Sequence, residues 1–172
     1  MLLVALSGLP GSGKTRLARE VCTRLPLAHV ESDALRKELF PRPVYTPAES
    51  SRLFAACHAL IERLLQQRVS VAFDATNLKE PHREPLYQIA ATTGARLVMV
   101  RVTAPDVVIR RRLVARAAGA DEGNASEADV EVFEMMRREV EPISVDHLTI
   151  DTRGDIAEAA AKIVRKLGDE TA

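Results

Sequence analysis

The chain has 172 residues, of which 47% are hydrophobic and 28% are charged. This length predicts a single domain over residues 1–172, and this composition excludes a disordered chain. Lys and Arg together number 24, and so do Asp and Glu, which argues against a protein that coats long polyanions. Only 3% of the residues are aromatic and Trp is absent, so binding of single strands by base stacking is disfavoured as well.

Apolar runs alternate with amphipathic segments, which predicts a doubly wound α/β domain around a mostly parallel sheet of five strands. The predicted strands cover residues 2–7, 28–31, 69–73, 95–103 and 147–151. A first helix is predicted from the glycines after the first strand to residue 25, and further helices over residues 33–40, 47–67, 81–93, 104–117, 127–140 and 155–167. Three prolines within 41–47 predict an irregular loop that faces the substrate.

The sequence gives little sign of export or membrane insertion. The apolar run 2–6 is too short for a signal peptide and follows no basic residue, and no later run approaches the length of a membrane span. Cys22 and Cys57 fit neither a disulfide framework nor a metal cluster, so both are expected to be reduced core thiols. We therefore expect a cytoplasmic protein without membrane contacts.

The segment 8–15, Gly-Leu-Pro-Gly-Ser-Gly-Lys-Thr, matches the full pattern G-x-x-x-x-G-K-[ST] between a strand and a helix. Its glycines let backbone N–H groups approach phosphate oxygens, and the helix N-terminus adds a favourable dipole. Lys14 is expected to reach the β- and γ-phosphates, and the Thr15 hydroxyl to coordinate Mg²⁺. The segment predicts a site for ATP and Mg²⁺ with the nucleotide-binding residues Gly8, Gly11, Ser12, Gly13, Lys14 and Thr15.

Asp33 and Arg36 follow the second strand and lie one turn apart at the start of a helix. Ligands of open α/β sheets bind at the carboxyl ends of the strands, so both side chains can point into the cleft. The Asp33 carboxylate can accept the proton of an attacking hydroxyl, while the Arg36 guanidinium holds the substrate or a phosphoryl oxygen. Asp33 suits a helix N-cap equally well, and the sequence leaves both roles open.

Asp74 ends the apolar third strand, which is typical of a carboxylate placed near the metal ion of a nucleotide site. An Asp that merely caps a strand end or a turn is the alternative. The following Ala75 does not supply the Glu that many motor ATPases use to polarise water. This favours transfer to a bound acceptor over energy-coupled hydrolysis.

Residues 105–140 are predicted to form a helical lid, with an Arg-rich helix, a loop over 118–126 and a second amphipathic helix. Arg112 and Arg116 lie one turn apart on the first of these helices. An arginine delivered by a closing helix can stabilise charge on a transferring phosphoryl group while water is excluded. Arg110 and Arg111 fit a solvated face at least as well.

These motifs, in this order and spacing, resemble those of the small P-loop kinases that include polynucleotide 5′-hydroxyl kinases, zeta-toxin-like kinases and related bacterial ATP-binding kinases. The resemblance covers nearly the whole chain and implies the strand order 2-3-1-4-5. It implies that Asp33 is the general base, that Arg36 binds the acceptor or a phosphate, and that a lid arginine assists transfer. It further implies substrate contacts for the segment ending at Asn77 and for Arg83, and a place near the adenine for Thr152 and Arg153.

The sequence thus predicts a kinase that transfers the γ-phosphoryl group of ATP to an acceptor hydroxyl. The acceptor, which can be a nucleic-acid 5′ end, a nucleoside, a sugar or another small molecule, and the oligomeric state are left open. A nucleotide-binding switch or adaptor without transfer activity is the alternative, and a GTPase switch is disfavoured because no Asn-Lys-x-Asp segment is present. His29, His58, His82 and His147 lie near no second ligand in sequence, so no metal site built on histidine is expected.

Overall fold

The computed structural model describes residues 1–119 and 128–169. The strands are β1 (Leu2–Ser7), β2 (Leu27–Glu31), β3 (Ser70–Asp74), β4 (Arg96–Thr103) and β5 (His147–Asp151). The helices are α1 (Lys14–Arg24), α2 (Ser32–Leu39), α3 (Pro47–Gln66), α4 (Glu80–Thr93), α5 (Asp106–Ala117), α6 (Val130–Met136) and α7 (Ile156–Asp169), and a 3₁₀ turn covers Arg137–Glu139. None of the described helices is long and apolar enough to cross a membrane.

The five strands form one all-parallel sheet in the order β2-β3-β1-β4-β5, which confirms the predicted α/β fold class and strand order. The central strand β1 is paired on both sides, with Ala5 opposite Phe73 of β3 and Met99 of β4. The carboxyl ends of β1, β2 and β3 therefore lie side by side, where ligands bind in sheets of this kind.

Alternation along the strands divides the core into two layers. Leu3 and Ala5 of β1 face α3 and α4, whereas Val4 and Leu6 face α1 and α7. The helices bury most of the apolar residues that predicted them, and Ile61 of α3 is fully buried in the first layer. Leu60 of α3 and Val140 after α6 are exposed instead. Burial raises the pKa of the Cys57 thiol in that layer to about 11, as fits a core thiol; Cys22 is only partly buried.

The segment after β4 differs from its prediction. The helix expected over 127–140 is the shorter α6, which begins after Asp129, whose carboxylate accepts a hydrogen bond from the Val132 N–H. It ends in the 3₁₀ turn, and the chain is extended from Val140. Most of the loop predicted over 118–126 lies outside the described residues. Phe133 of α6 is fully buried against Ile109 and Leu113 of α5, which joins the two helices.

Candidate active site

A cavity of about 570 Å³ lies at the carboxyl ends of β1, β2 and β3, bordered by α5 and α6. Its walls bring together most of the predicted site residues, namely Gly11, Gly13, Lys14, Thr15, Asp33, Arg36, Asp74, Arg112, Arg116 and Thr152. Residues from five separate segments of the chain thus meet at the place that the topology predicts for a ligand.

The glycine loop between β1 and α1 has a shape that other residues cannot adopt without strain. Gly13 has φ 93°, in the left-handed region, and a Cβ there would lie 3.0 Å from Thr152 Oγ1. A Cβ on Gly8 would lie 2.4 Å from the Val102 carbonyl oxygen. Gly8 and Ser12 do not line the cavity themselves. The Gly8 N–H donates to the Thr76 carbonyl at 2.9 Å, and Ser12 is buried within the loop.

Lys14 is buried in the loop at the start of α1. Its Nζ donates a hydrogen bond to the Leu9 carbonyl at 3.0 Å. Burial lowers the pKa of Lys14, while the carboxylates of Asp74 and Asp33 raise it again and the Arg116 charge lowers it further. The ammonium group is thus desolvated and lies among the charges of the site. Such a group is suited to give up its hydrogen bond to the Leu9 carbonyl and to bind phosphate oxygens instead.

Asp33 lines the cavity as the second residue of α2. The N-cap position is taken by Glu31, and no side chain caps the helix there. The cap alternative for Asp33 is therefore wrong, because the local backbone starts the helix at Ser32 and leaves Asp33 in the first turn. Its half-buried carboxylate faces the same cavity as Lys14.

Arg36 is buried at the cavity wall and is held by three neighbours. Its Nη1 donates to Glu49 in an ion pair, and its Nη2 donates to Ser50 Oγ at 3.3 Å. Its guanidinium also lies 4.7 Å from the centre of the Tyr45 ring. The Val44 N–H and Arg36 together lower the pKa of Glu49, so the charge of Arg36 is matched by a carboxylate within the protein.

Asp74 and Thr15 supply the oxygen atoms that a magnesium ion would need. The Asp74 side chain is only 3% exposed, and its Oδ2 has no hydrogen-bond partner among the described residues. Thr15 lines the same cavity at the start of α1. A hydroxyl and an unpartnered carboxylate oxygen fit Mg²⁺, which binds oxygen ligands and keeps several waters.

The two arginines of α5 both line the cavity but have different partners. Arg112 Nη1 donates to Thr152 Oγ1 at 2.9 Å and to the Gly11 carbonyl at 3.3 Å, and its Nη2 donates to the Thr152 carbonyl at 2.6 Å. Arg116 Nη2 donates to the carbonyl of Ala128, just before α6. Burial, together with the charges of Arg16 and Arg111, lowers the pKa of Arg112.

The segment after β5 is only partly at the site. Thr152 is buried, lines the cavity, and donates through Oγ1 to the Ser12 carbonyl at 2.5 Å, which ties this segment to the glycine loop. The Arg153 side chain is 64% exposed, pairs with Asp151 at 2.9 Å, and does not line the cavity. Of the two residues predicted to lie near the adenine, Thr152 lines the cavity and Arg153 does not; contact with a base stays a prediction.

Asn77 and Arg83 are not brought to the cavity, and both are fully buried. Asn77 Nδ2 donates to the Leu6 carbonyl at 2.7 Å, which fixes the end of β1 just before the glycine loop. Arg83 donates to backbone carbonyls of both Asn77 and Pro142, at 3.1 and 2.5 Å. These contacts argue for a structural role in place of the expected substrate contacts.

Several lining residues were not predicted. Arg16, Arg19 and Glu31 come from α1 and β2, and an apolar wall is formed by Leu53, Phe54, Val132, Met135 and Met136. Thr46 to Glu49 matches the capping-box pattern, and the Glu49 N–H does donate to Thr46 Oγ1 at 3.2 Å. The Glu49 side chain, however, turns to Val44 and Arg36 instead of the cap, which the local pattern does not reveal.

Comparison with known proteins places the chain in a family. The family model described as AAA domain matches residues 3–143. The chain belongs to the AAA domain family. A comparison with curated protein sequences gives no match.

Solved structures that resemble this AAA domain protein include several kinases. The Mycobacterium tuberculosis APS kinase CysC, in complex with AMPPNP and APS, is 21% identical with a TM-score of 0.71 and covers 97% of each chain. Kti12 of Chaetomium thermophilum, in complex with ADP-AlF3, is 21% identical with a TM-score of 0.78 and covers 99% of each chain. A gluconokinase from Sinorhizobium meliloti 1021 is 19% identical with a TM-score of 0.67, and the match covers 99% of this chain and 98% of that one. These likenesses show that the fold is that of the P-loop kinases.

Proposed function

We propose that this protein is a kinase that uses ATP and Mg²⁺ to phosphorylate an acceptor hydroxyl. The observation that carries the proposal is the placement of Asp33 in the same cavity as Lys14, Thr15 and Asp74. A phosphate-binding loop and a metal-binding carboxylate explain nucleotide binding alone. A further carboxylate in the same cavity, that of Asp33, is what a transfer reaction adds.

We assign each step of the reaction to particular side chains and backbone groups of the cavity. The loop N–H groups and Lys14 would hold the β- and γ-phosphates, and Thr15 and Asp74 would hold Mg²⁺, which neutralises phosphate charge when bound. Asp33 accepts the proton of the acceptor hydroxyl as its oxygen bonds to the γ-phosphorus and the bond to the β–γ bridging oxygen breaks, releasing ADP. Arg116 stabilises the charge that spreads over the equatorial oxygens.

The acceptor side of the cavity favours a small molecule of low charge over a nucleic-acid end. Arg36 was expected to hold a phosphate or the acceptor, but its charge is matched by Glu49 inside the protein. Phe54 and Met136 supply apolar surface to the wall of the same cavity. An acceptor with an apolar or planar part next to its hydroxyl fits this wall better than a chain of phosphates does.

An acceptor screen tests the proposal. The wild-type protein is incubated with MgATP and sugars, nucleosides, other small alcohols or oligonucleotides with a free 5′-hydroxyl, and ADP and the phosphorylated product are measured. We expect at least one small acceptor to raise ADP formation well above the rate without acceptor. Normal MgATP binding without transfer to any acceptor would favour the switch or adaptor alternative.

Lys14→Ala is the matched control for that screen. We expect it to abolish transfer and to weaken MgATP binding by about tenfold or more, since it removes charge-assisted hydrogen bonds to the phosphates. Nucleotide affinity is measured by titration calorimetry. Unchanged affinity in a folded variant would show that the loop does not bind the triphosphate as proposed.

A further inference from the structure

Three side chains that commonly bind metal ions meet on the neighbouring strands β2 and β3. His29 and Glu31 lie on β2 and Asp74 ends β3, where it pairs in register with Glu31. Val30 and Phe73 face the core on the α3 side, so alternation places the three polar side chains on the opposite, α1 side of the sheet. One ligand atom from each residue lies within 4.8 Å of the other two.

Two of these atoms are buried without a hydrogen bond to any described residue. His29 Nε2 and Asp74 Oδ2 have no hydrogen bond to any residue that the structure describes, although they approach to 3.6 Å. Buried polar atoms are nearly always satisfied, so an unsatisfied pair points to a group that binds between them. Glu31 forms an ion pair with Arg19 through Oε2 at 3.7 Å, which leaves lone pairs of the carboxylate for another ligand.

We propose that His29, Glu31 and Asp74 bind a divalent transition-metal ion such as zinc. Two ligand atoms bound about 2.1 Å from a tetrahedral ion lie about 3.4 Å apart, close to the 3.6 Å between His29 Nε2 and Asp74 Oδ2. One imidazole with two carboxylates suits zinc and its neighbours, whereas Mg²⁺ prefers oxygen ligands alone. The histidine therefore distinguishes this site from the proposed magnesium site.

The site shares Asp74 with the proposed magnesium site, so the two ions would compete. Only this antagonism rests on the proposed function, because the metal site itself is defined by side chains that are present without nucleotide. A bound zinc ion would hold the Asp74 carboxylate on the α1 side of the sheet. We therefore expect zinc to weaken the binding of MgADP.

Metal titration of the nucleotide-free protein tests the site. After treatment with a chelator, the full chain is titrated with ZnCl₂ by calorimetry and with CoCl₂ by visible absorption. We expect one ion per chain, and we expect His29→Gln and Glu31→Gln each to weaken binding by about tenfold or more, since even the loss of an outer-shell partner costs that much. His147→Gln, on β5 with its Nδ1 beside the Val145 carbonyl, is the matched control and should bind as the wild type does.

Thermal midpoints of the three variants show whether each is folded. If either His29→Gln or Glu31→Gln does not fold, the other still tests the site. Absence of a stoichiometric zinc site in the wild-type protein would overturn the proposal. Retention of full affinity in both His29→Gln and Glu31→Gln would also overturn it, because the ion would then lie elsewhere.

A second titration tests the antagonism. The affinity for ADP is measured in excess Mg²⁺ with and without one equivalent of zinc, for the wild-type protein and for His29→Gln. We expect zinc to lower the affinity for MgADP about tenfold in the wild type and not in His29→Gln. Any effect of zinc binding to the nucleotide itself is seen equally in both proteins, so the variant corrects for it. Equal affinities with and without zinc in the wild type would reject the antagonism and leave the metal site to the first experiment.

Discussion

Asp33 is the residue on which the proposed transfer depends most, and the structure separates its chemistry from its effect on the helix. It lies in the first turn of α2, where a negative charge interacts favourably with the helix dipole, and it is not the N-cap. Its carboxylate faces the cavity beside the buried Lys14. A change of charge at Asp33 therefore affects stability only modestly while removing a proton acceptor.

Asp33→Asn is the substitution that tests this role. We expect the free energy of unfolding to fall by about 0.3–1 kcal/mol through the lost dipole interaction, and the affinity for MgATP to stay near that of the wild type. Transfer to a working acceptor should fall by about two to four orders of magnitude, because an amide cannot take the proton. Thermal unfolding, nucleotide titration and product formation are measured on one preparation.

A folded Asp33→Asn protein that transfers phosphate at nearly the wild-type rate would contradict the assignment and leave the general base elsewhere. Glu31→Gln is a useful companion, because Glu31 also lines the cavity and comes from the strand end just before α2. Only the Asp33 change should affect transfer by orders of magnitude.

At the level of single residues, local motifs in the sequence predicted several residues that line the cavity. Lys14 and Thr15 follow from the glycine pattern, and Asp74 from an apolar strand that ends in an acid. The contact between Arg36 and Glu49 spans two helices and a proline-containing loop, so no local pattern indicates it. The cluster around His29 depends on strand register, which the sequence alone does not give.

At the level of elements, α5 packs against the glycine loop and also borders the cavity. A Cβ on Gly11 would lie 3.0 Å from the Leu113 side chain and 3.1 Å from that of Ile109, so α5 packs directly on the loop. Arg112 extends this contact with hydrogen bonds to Gly11 and Thr152. Arg116, one turn later, donates to the Ala128 carbonyl just before α6, so its position depends on the position of that segment.

Lysine substitutions distinguish the roles of Arg112 and Arg116, because lysine keeps the positive charge but lacks the planar, forked guanidinium group. We expect Arg112→Lys to weaken nucleotide binding, since the fork holds the loop against Thr152. We expect Arg116→Lys to slow transfer by about tenfold or more with little change in nucleotide affinity, since its contribution would come mainly in the transition state. Nucleotide titration and the transfer rate at saturating substrates distinguish the two effects.

Arg111→Lys is the control for these variants, because Arg111 is exposed on the same helix and does not line the cavity. It should behave as the wild type does in both assays. Full turnover in Arg112→Lys and in Arg116→Lys would refute the proposal that α5 and α6 act as a lid over the reaction.

Most helices and strands could be predicted because the local sequence pattern favours the same structure that packing against the sheet requires. Gly94, with φ 67°, ends α4 as expected of a glycine after a helix. The helix over 127–140 was predicted too long because its apolar spacing continues through the 3₁₀ turn. The N-cap at Asp129 and the extended backbone of Val140 set the real bounds, and neither is strong enough in sequence to override the periodicity.

At the scale of the whole molecule, α3 connects the cavity to two half-buried histidines, His58 and His82. Phe54 lines the cavity and stacks on the His82 ring of α4, with ring centres 4.1 Å apart, and it also packs against His58 at 6.0 Å. His58 Nε2 is buried without a hydrogen-bond partner among the residues that the structure describes. The apolar wall of the cavity therefore rests on rings that tolerate protonation poorly.

Acid should consequently destabilise the fold through these rings. Burial lowers the pKa of both His58 and His82, and the charges of Lys79 and Arg83 lower that of His82 further. A backbone hydrogen bond at His82 opposes the shift of His58, and the Glu141 charge opposes that of His82. In the unfolded chain both rings titrate near 6.5. The pKa values of both rings are lower in the folded protein, so below pH 6.5 the unfolded chain binds more protons than the folded protein does. The stability contributed by the neutral rings is fully present above pH 6.5 and is lost as the pH falls through the pKa values of the folded protein.

The His58→Gln/His82→Gln double variant isolates this contribution, since other groups titrate equally in both proteins. We expect the free energy of unfolding of the wild type, measured by urea titration at intervals from pH 7.5 to pH 5, to fall more steeply than that of the double variant. The comparison uses the slope with pH and not the absolute stability, because the glutamine side chains pack differently against Phe54. Parallel slopes would show that the folded protein protonates these rings as readily as the unfolded chain does, and the cavity wall would then be insensitive to acid.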